Sequence, residues 1–205
     1  MASSVLVKPH IIFSHGAGAG PESAFMQAMS NALRGLGYKL TCEPFPYWQQ
    51  VLLTGKKRPP NPAIQLDADL RNRINKIIEK EGRHTPIFLI GKSMGARVSF
   101  RCADHFAVKG AIGLGFPFHP PGKQDKHRLQ DLYNPCSRNL IVQGERDPFG
   151  SRAWVEAQSL PNNVDICWAS EGNHDLVPPK RSGITAEQRW QQVAEHIHRW
   201  LESLE

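Results

Sequence analysis

Three short segments of the chain carry residue types that together could transfer an acyl group. Gly91-Lys92-Ser93-Met94-Gly95 sets a serine between two glycines; this G-x-S-x-G spacing permits a very tight turn from a strand into a helix, with the hydroxyl projecting above a sheet. A serine hydroxyl is a weak nucleophile until a base takes its proton, and that base needs an acid to fix its tautomer and stabilise the imidazolium. The segment from Gln143 to Gly150 carries Glu145 and Asp147, and Glu171-Gly172-Asn173-His174-Asp175 carries a histidine. Ser93 is therefore the candidate nucleophile, Asp147 the acid and His174 the base, in the order serine, acid, histidine.

The tetrahedral intermediate of such a reaction also needs donors aimed at its oxyanion. The backbone N–H of Met94 is one candidate. The run His15-Gly16-Ala17-Gly18-Ala19-Gly20 supplies the other, with the Ala17 N–H as the expected donor because a run poor in side chains lets backbone approach a substrate. Protonation of a histidine base should switch such a site off as pH falls through about 6 to 7.

Plainer readings compete at each position. A glycine-bounded turn with a capping serine would account for Gly91–Gly95 without chemistry. Glu145 competes with Asp147 for the acid. Asp175 reads as a loop-orienting residue, Asp165 lies inside a strand, and His196 and His198 fall on a helix as packing or surface residues. A phosphate loop at His15–Gly20 would need G-x-G-x-x-G spacing or a P-loop lysine, and neither is present.

These residues must be held by regular elements. Ile11–Ser14, Tyr38–Phe45, Pro86–Ile90, Val108–Leu114, Asn139–Val142 and Val164–Trp168 read as strands, and the unrelieved apolar run Pro86–Ile90 suits a central strand covered on both faces. Helical spacing runs from Pro21 to Leu33, from Ile64 to Ile78, from Arg97 to His105 and from Thr185 onward; a proline-punctuated loop is expected from Phe45 to about Pro62. Strands alternating with helices give an α/β fold with a mostly parallel sheet, and catalytic groups in such sheets sit at the carboxyl ends of strands.

The 205 residues, 40% hydrophobic and 21% charged, suit one domain, 1–205, and exclude disorder and collagen-like repetition. The start Met1–Phe13 has no charged leader region and no apolar run reaches the length of a membrane span, so an intracellular, cytoplasmic protein is expected. Cys42, Cys102, Cys136 and Cys167 lack C-x-x-C spacing and read as reduced, mostly buried thiols, with no metal site and no cofactor. A net charge of +6 is thin and dispersed, and no nucleic-acid motif accompanies it.

The motifs His15–Gly20, Gly91–Arg97 and Gly115–Lys123 (GFPFHPPGK) resemble the α/β-hydrolase superfamily, and more narrowly a small lidless group similar to dienelactone hydrolases. That group includes a testis-expressed vertebrate protein and a subunit of a nuclear acetyltransferase complex. The resemblance covers nearly the whole chain, places nucleophile, acid and base on Ser93, Asp147 and His174, and implies esterase-like or thioesterase-like acyl transfer to water. It also keeps open a second function, a catalytically idle module that uses the scaffold to bind another protein.

Only about 24 residues separate the strand ending at Leu114 from the next, too few for a lid domain. A shallow cleft is expected, roofed by the 45–62 and 115–123 loops, with Tyr47, Trp48, Phe116 and Phe118 as candidate walls. Lys92, Lys56, Lys57, Arg58 and Arg181 are expected to make its mouth positive, which would favour small esters or thioesters bearing an anionic group.

Overall fold

A computed structural model describes residues 9–134 and 138–204. Six strands form one all-parallel sheet: β1 (His10–Ser14), β2 (Lys39–Thr41), β3 (Ile87–Lys92), β4 (Val108–Leu114), β5 (Arg138–Gly144) and β6 (Val164–Ala169), in the spatial order β2-β1-β3-β4-β5-β6. The chain enters the sheet at β1, adds β2 on one side and β3 to β6 on the other, and in such sheets ligands bind beyond the carboxyl ends near the point of reversal. Helices α1 (Ala24–Gly35), α2 (Pro46–Thr54), α3 (Ala63–Glu81), α4 (Met94–Cys102), α5 (Arg152–Glu156) and α6 (Ala186–Glu202) make the connections and outer layers.

Side-chain alternation along the strands builds two apolar layers. Ile12, Leu89, Ala111 and Ile141 meet Leu70 and Ile74 of α3 and Val98 of α4 on one face. On the other, Ile11, Phe13, Ile90, Ile112 and Val142 meet Met26 and Met29 of α1 and Ile197 and Leu201 of α6. α6 is also fixed locally, by a capping box in which Thr185 and Gln188 satisfy each other's backbone N–H.

Two expected elements differ from the structure. The strand read from Tyr38 to Phe45 is only Lys39–Thr41, at the sheet edge, because the chain turns away towards Phe45, which is completely buried. The stretch read as a loop to Pro62 contains α2. Pro46 stands at the first turn, where its missing N–H costs no helical bond, and Gly55 ends the helix at φ 66°. The thiols are also less buried than expected: Cys102 is buried, whereas Cys42 and Cys167 are half-buried. Cys136 lies outside the described residues.

Candidate active site

The sharp turn between β3 and α4 sets Ser93 at φ 52° and ψ −112°, a strained conformation for a residue with a side chain. The two glycines around it answer a steric need. A Cβ on Gly91 would collide with the Gly95 backbone, and one on Gly95 with the Ser14 carbonyl at the end of β1. With both absent, the start of α4 lies against the carboxyl ends of β1 and β3, and the Ser93 hydroxyl projects from the turn.

His174 reaches that hydroxyl from the loop after β6. Its Nε2 lies 2.9 Å from Ser93 Oγ, and its Nδ1 2.8 Å from Asp147 Oδ2. A carboxylate can only accept, so Nδ1 carries the proton and Nε2 presents its lone pair to the serine O–H. Asp147 is completely buried with both oxygens occupied: Oδ1 accepts the Phe149 N–H at 2.8 Å, and Oδ2 also accepts from Gln143 Nε2 at 3.0 Å. Glu145, the alternative acid, is engaged elsewhere. It accepts the Glu171 N–H at 2.8 Å and pairs with Arg152 at 2.9 Å, and these bonds hold its carboxyl below the usual range.

The loop that delivers His174 is fixed from two sides. Asn173 Oδ1 accepts the N–H groups of Asp175 and Val177 at 2.9 and 3.0 Å, the local turn chemistry that asparagine favours. Lys92, immediately before the nucleophile, donates from Nζ to the His174 carbonyl at 2.9 Å and pairs with Asp175 at 3.2 Å. Burial pushes the Lys92 ammonium below its ordinary range, against the opposing pull of Asp175. The two residues adjacent in sequence thus hold the two ends of His174, its ring and its backbone.

Ala17 and Met94, the expected sources of the oxyanion donors, line one cleft together with Ser93. The Met94 N–H opens α4, where helix N–H groups have no intrahelical acceptor, and among the described residues neither it nor the Ala17 N–H has a hydrogen-bond partner. The direction of the Ala17 N–H follows from its peptide unit. The Gly16 carbonyl accepts from His15 Nδ1 at 2.8 Å and from the Tyr47 hydroxyl at 3.1 Å, and in a planar trans peptide the N–H points the opposite way. His15 Nε2 in turn accepts the Phe45 N–H at 3.0 Å, which requires a neutral ring with the proton on Nδ1. Burial, the largest influence, lowers the affinity of His15 for a second proton.

Two clefts meet at Ser93. One, of about 500 Å³, is lined by Gly16–Ala19, Phe25, His174, Asp175 and Trp190. The other, of about 360 Å³, is lined by Ala17, Met94, Pro60, Arg97, Arg101, Pro117 and Arg128. Phe149 borders both, its ring centroid 4.4 Å from that of His174.

Four of the expected cleft walls are placed differently. Phe116 and Phe118 are completely buried and pack edge-on, 5.0 Å between centroids. Tyr47 is buried, its hydroxyl spent on the carbonyls of Gly16 and Ala17, and Trp48 donates to Glu22 at 2.9 Å. All four belong to or pack against the apolar layer that α3 and α4 cover. The expected positive mouth is also corrected. Lys92 lines the larger cleft but is buried and paired with Asp175, Arg181 pairs with Glu171, and Lys56, Lys57 and Arg58 line neither cleft; the cations of the smaller cleft are Arg97, Arg101 and Arg128. His198 bonds the Tyr38 hydroxyl at 2.7 Å, far from Ser93 in role. Among the described residues no group of three or more His, Cys, Asp or Glu could hold a metal ion, and no helix is long and apolar enough to cross a membrane.

Residues 7–202 match the family model for an alpha/beta hydrolase domain. Solved structures share the fold at low identity. A dienelactone hydrolase from Anabaena variabilis superposes with a TM-score of 0.72 at 15% identity, over 97% of this chain and 88% of that one. An alpha-beta serine hydrolase homologue from Coxiella burnetii gives 0.66 at 21%, over 93% and 84%. A lidless serine hydrolase from Xanthomonas campestris gives 0.66 at 16%, over 97% and 85%.

Proposed function

The chain belongs to the alpha/beta hydrolase family, and from that premise we propose that it is a serine hydrolase of the carboxylesterase or thioesterase type, acting on small esters through a covalent acyl-enzyme. The observation that carries this reading is the continuous relay from Ser93 Oγ through His174 to the buried carboxylate of Asp147, at 2.9 and 2.8 Å.

In the first half-reaction Ser93 Oγ attacks the substrate carbonyl while its proton passes to His174 Nε2. The Asp147 carboxylate stabilises the imidazolium without taking a proton itself. Negative charge gathers on the carbonyl oxygen, where the N–H groups of Met94 and Ala17 can meet it without reorganising. His174 then returns the proton to the departing alcohol or thiol, leaving the acyl group on Ser93. Water, activated by the same ring, attacks that ester, releases the acid and restores the serine. The lidless fold of the Xanthomonas neighbour and the openness of the site to Ala17–Ala19 favour small or protruding esters over long lipid chains.

Hydrolysis of 4-nitrophenyl butyrate and of a short-chain thioester by the purified chain tests the proposal. Ser93→Ala and His174→Ala should each lower kcat by about 10⁴ to 10⁶. Retention of more than about a tenth of the activity in either folded variant would contradict it, and absence of turnover in the unmodified chain would favour the protein-binding alternative.

A further inference from the structure

We propose that the cleft beside α4 is a subsite for a carboxylate carried on the acyl part of the substrate, so that the preferred ester is a half-ester or half-thioester of a dicarboxylic acid. This rests on the proposed hydrolysis at Ser93 and names its substrate class.

The direction of binding follows from the base. His174 must protonate the leaving group, so that group occupies the cleft His174 lines. The acyl chain then extends into the cleft that His174 does not line, past the two oxyanion donors and along α4. Arg97 and Arg101 stand four and eight residues beyond Ser93, one face of the helix at about 6 and 12 Å of rise.

The charges on that wall do not cancel. Asp131, buried, receives Arg97 Nε at 2.6 Å and Arg101 at 3.3 Å, and Asp67 receives Arg101 at 2.6 Å. Arg128 makes one bond, from a guanidinium nitrogen to the Pro117 carbonyl at 3.0 Å. Among the described residues no carboxylate lies within ion-pair reach of it. Burial and the neighbouring Arg97 charge push the Arg128 guanidinium below its ordinary value, opposed by Asp131. Three guanidinium groups thus face two carboxylates. One unit of positive charge is left, at a planar group that accepts a carboxylate in fork geometry. A monoanionic carboxylate balances it; a phosphate dianion would bring one charge too many.

The test compares mono-4-nitrophenyl adipate with its methyl-capped diester, the same chain without the charge. The unmodified protein should show kcat/KM at least tenfold higher for the acid, with the preference shrinking as salt rises. Arg128→Gln should cut that ratio by fivefold or more, and Arg128→Lys should restore part of it. A ratio near one in the unmodified protein, or a ratio unchanged within twofold in Arg128→Gln, would overturn the subsite while leaving hydrolysis intact. If neither ester is turned over, the hydrolytic reading fails and the subsite is read by calorimetric titration of adipate into the unmodified protein. Saturable binding lost in Arg128→Gln upholds it, and no binding overturns it.

Discussion

Gln143, the last but one residue of β5, donates from Nε2 to the Oδ2 atom of Asp147 at 3.0 Å, and both side chains are completely buried. The same amide group reaches the carbonyls of Phe116 and Gly150, at 3.2 and 3.1 Å, so one side chain ties the acid of the relay to the loops on either side. Replacement by leucine removes these donors. Gln143→Leu should lose about 1–3 kcal/mol of stability, the usual cost of leaving buried acceptors unpaired, and should lower kcat about tenfold with KM little changed. Urea denaturation and ester kinetics check both, and kcat within twofold of the unmodified protein would show that Asp147 needs no such support.

Tyr47 holds the other side of the site. Its hydroxyl, pushed up to about 12 by burial, remains a donor throughout the working pH range and fixes the Gly16 peptide that carries the Ala17 N–H. Tyr47→Phe keeps the ring and removes the donor. We expect kcat to fall about tenfold, short of the 10² to 10³ lost when an oxyanion donor is removed outright. An unchanged kcat would place the Ala17 N–H outside the reaction.

Much of this site was legible in the sequence because its chemistry sits at strand ends. Ser93, Asp147 and His174 each follow an apolar run that could be read as a strand, and the structure brings the three within hydrogen-bond reach in the expected order. What could not be read depends on tertiary packing. Pro46 starts a helix where prolines in series suggested a loop, since a proline at a first turn and one in a loop look alike. Helical spacing placed Arg97 and Arg101 on α4 but gave them no role, and only the arrival of Pro117 and Arg128 from the segment after β4 makes that side of the helix a cleft wall. Gln143 carried a usable signal: a polar residue closing the apolar run Leu140–Val142 is more informative when buried than the apolar residues around it.

Acid should loosen the loop that His15 holds. The folded chain binds a proton on His15 less readily than the ordinary 6.5 because of burial, so between that value and the lower folded one the unfolded chain carries more protons. Stability therefore rises with pH through this window and is lost as pH falls below about 6.5, by at most about 1.4 kcal/mol per unit. His15→Gln should flatten the slope of unfolding free energy between pH 7 and 5. An identical slope in the variant would mean that His15 does not titrate on unfolding.

The central claim is that Ser93 is an activated nucleophile, and a fluorophosphonate probe tests it most directly. Intact mass and peptide mapping should find a single adduct on the peptide containing Ser93, absent from Ser93→Ala and strongly slowed in His174→Ala. Folded protein that takes up no probe between pH 6 and 9, or that is labelled equally well without Ser93, would contradict the account.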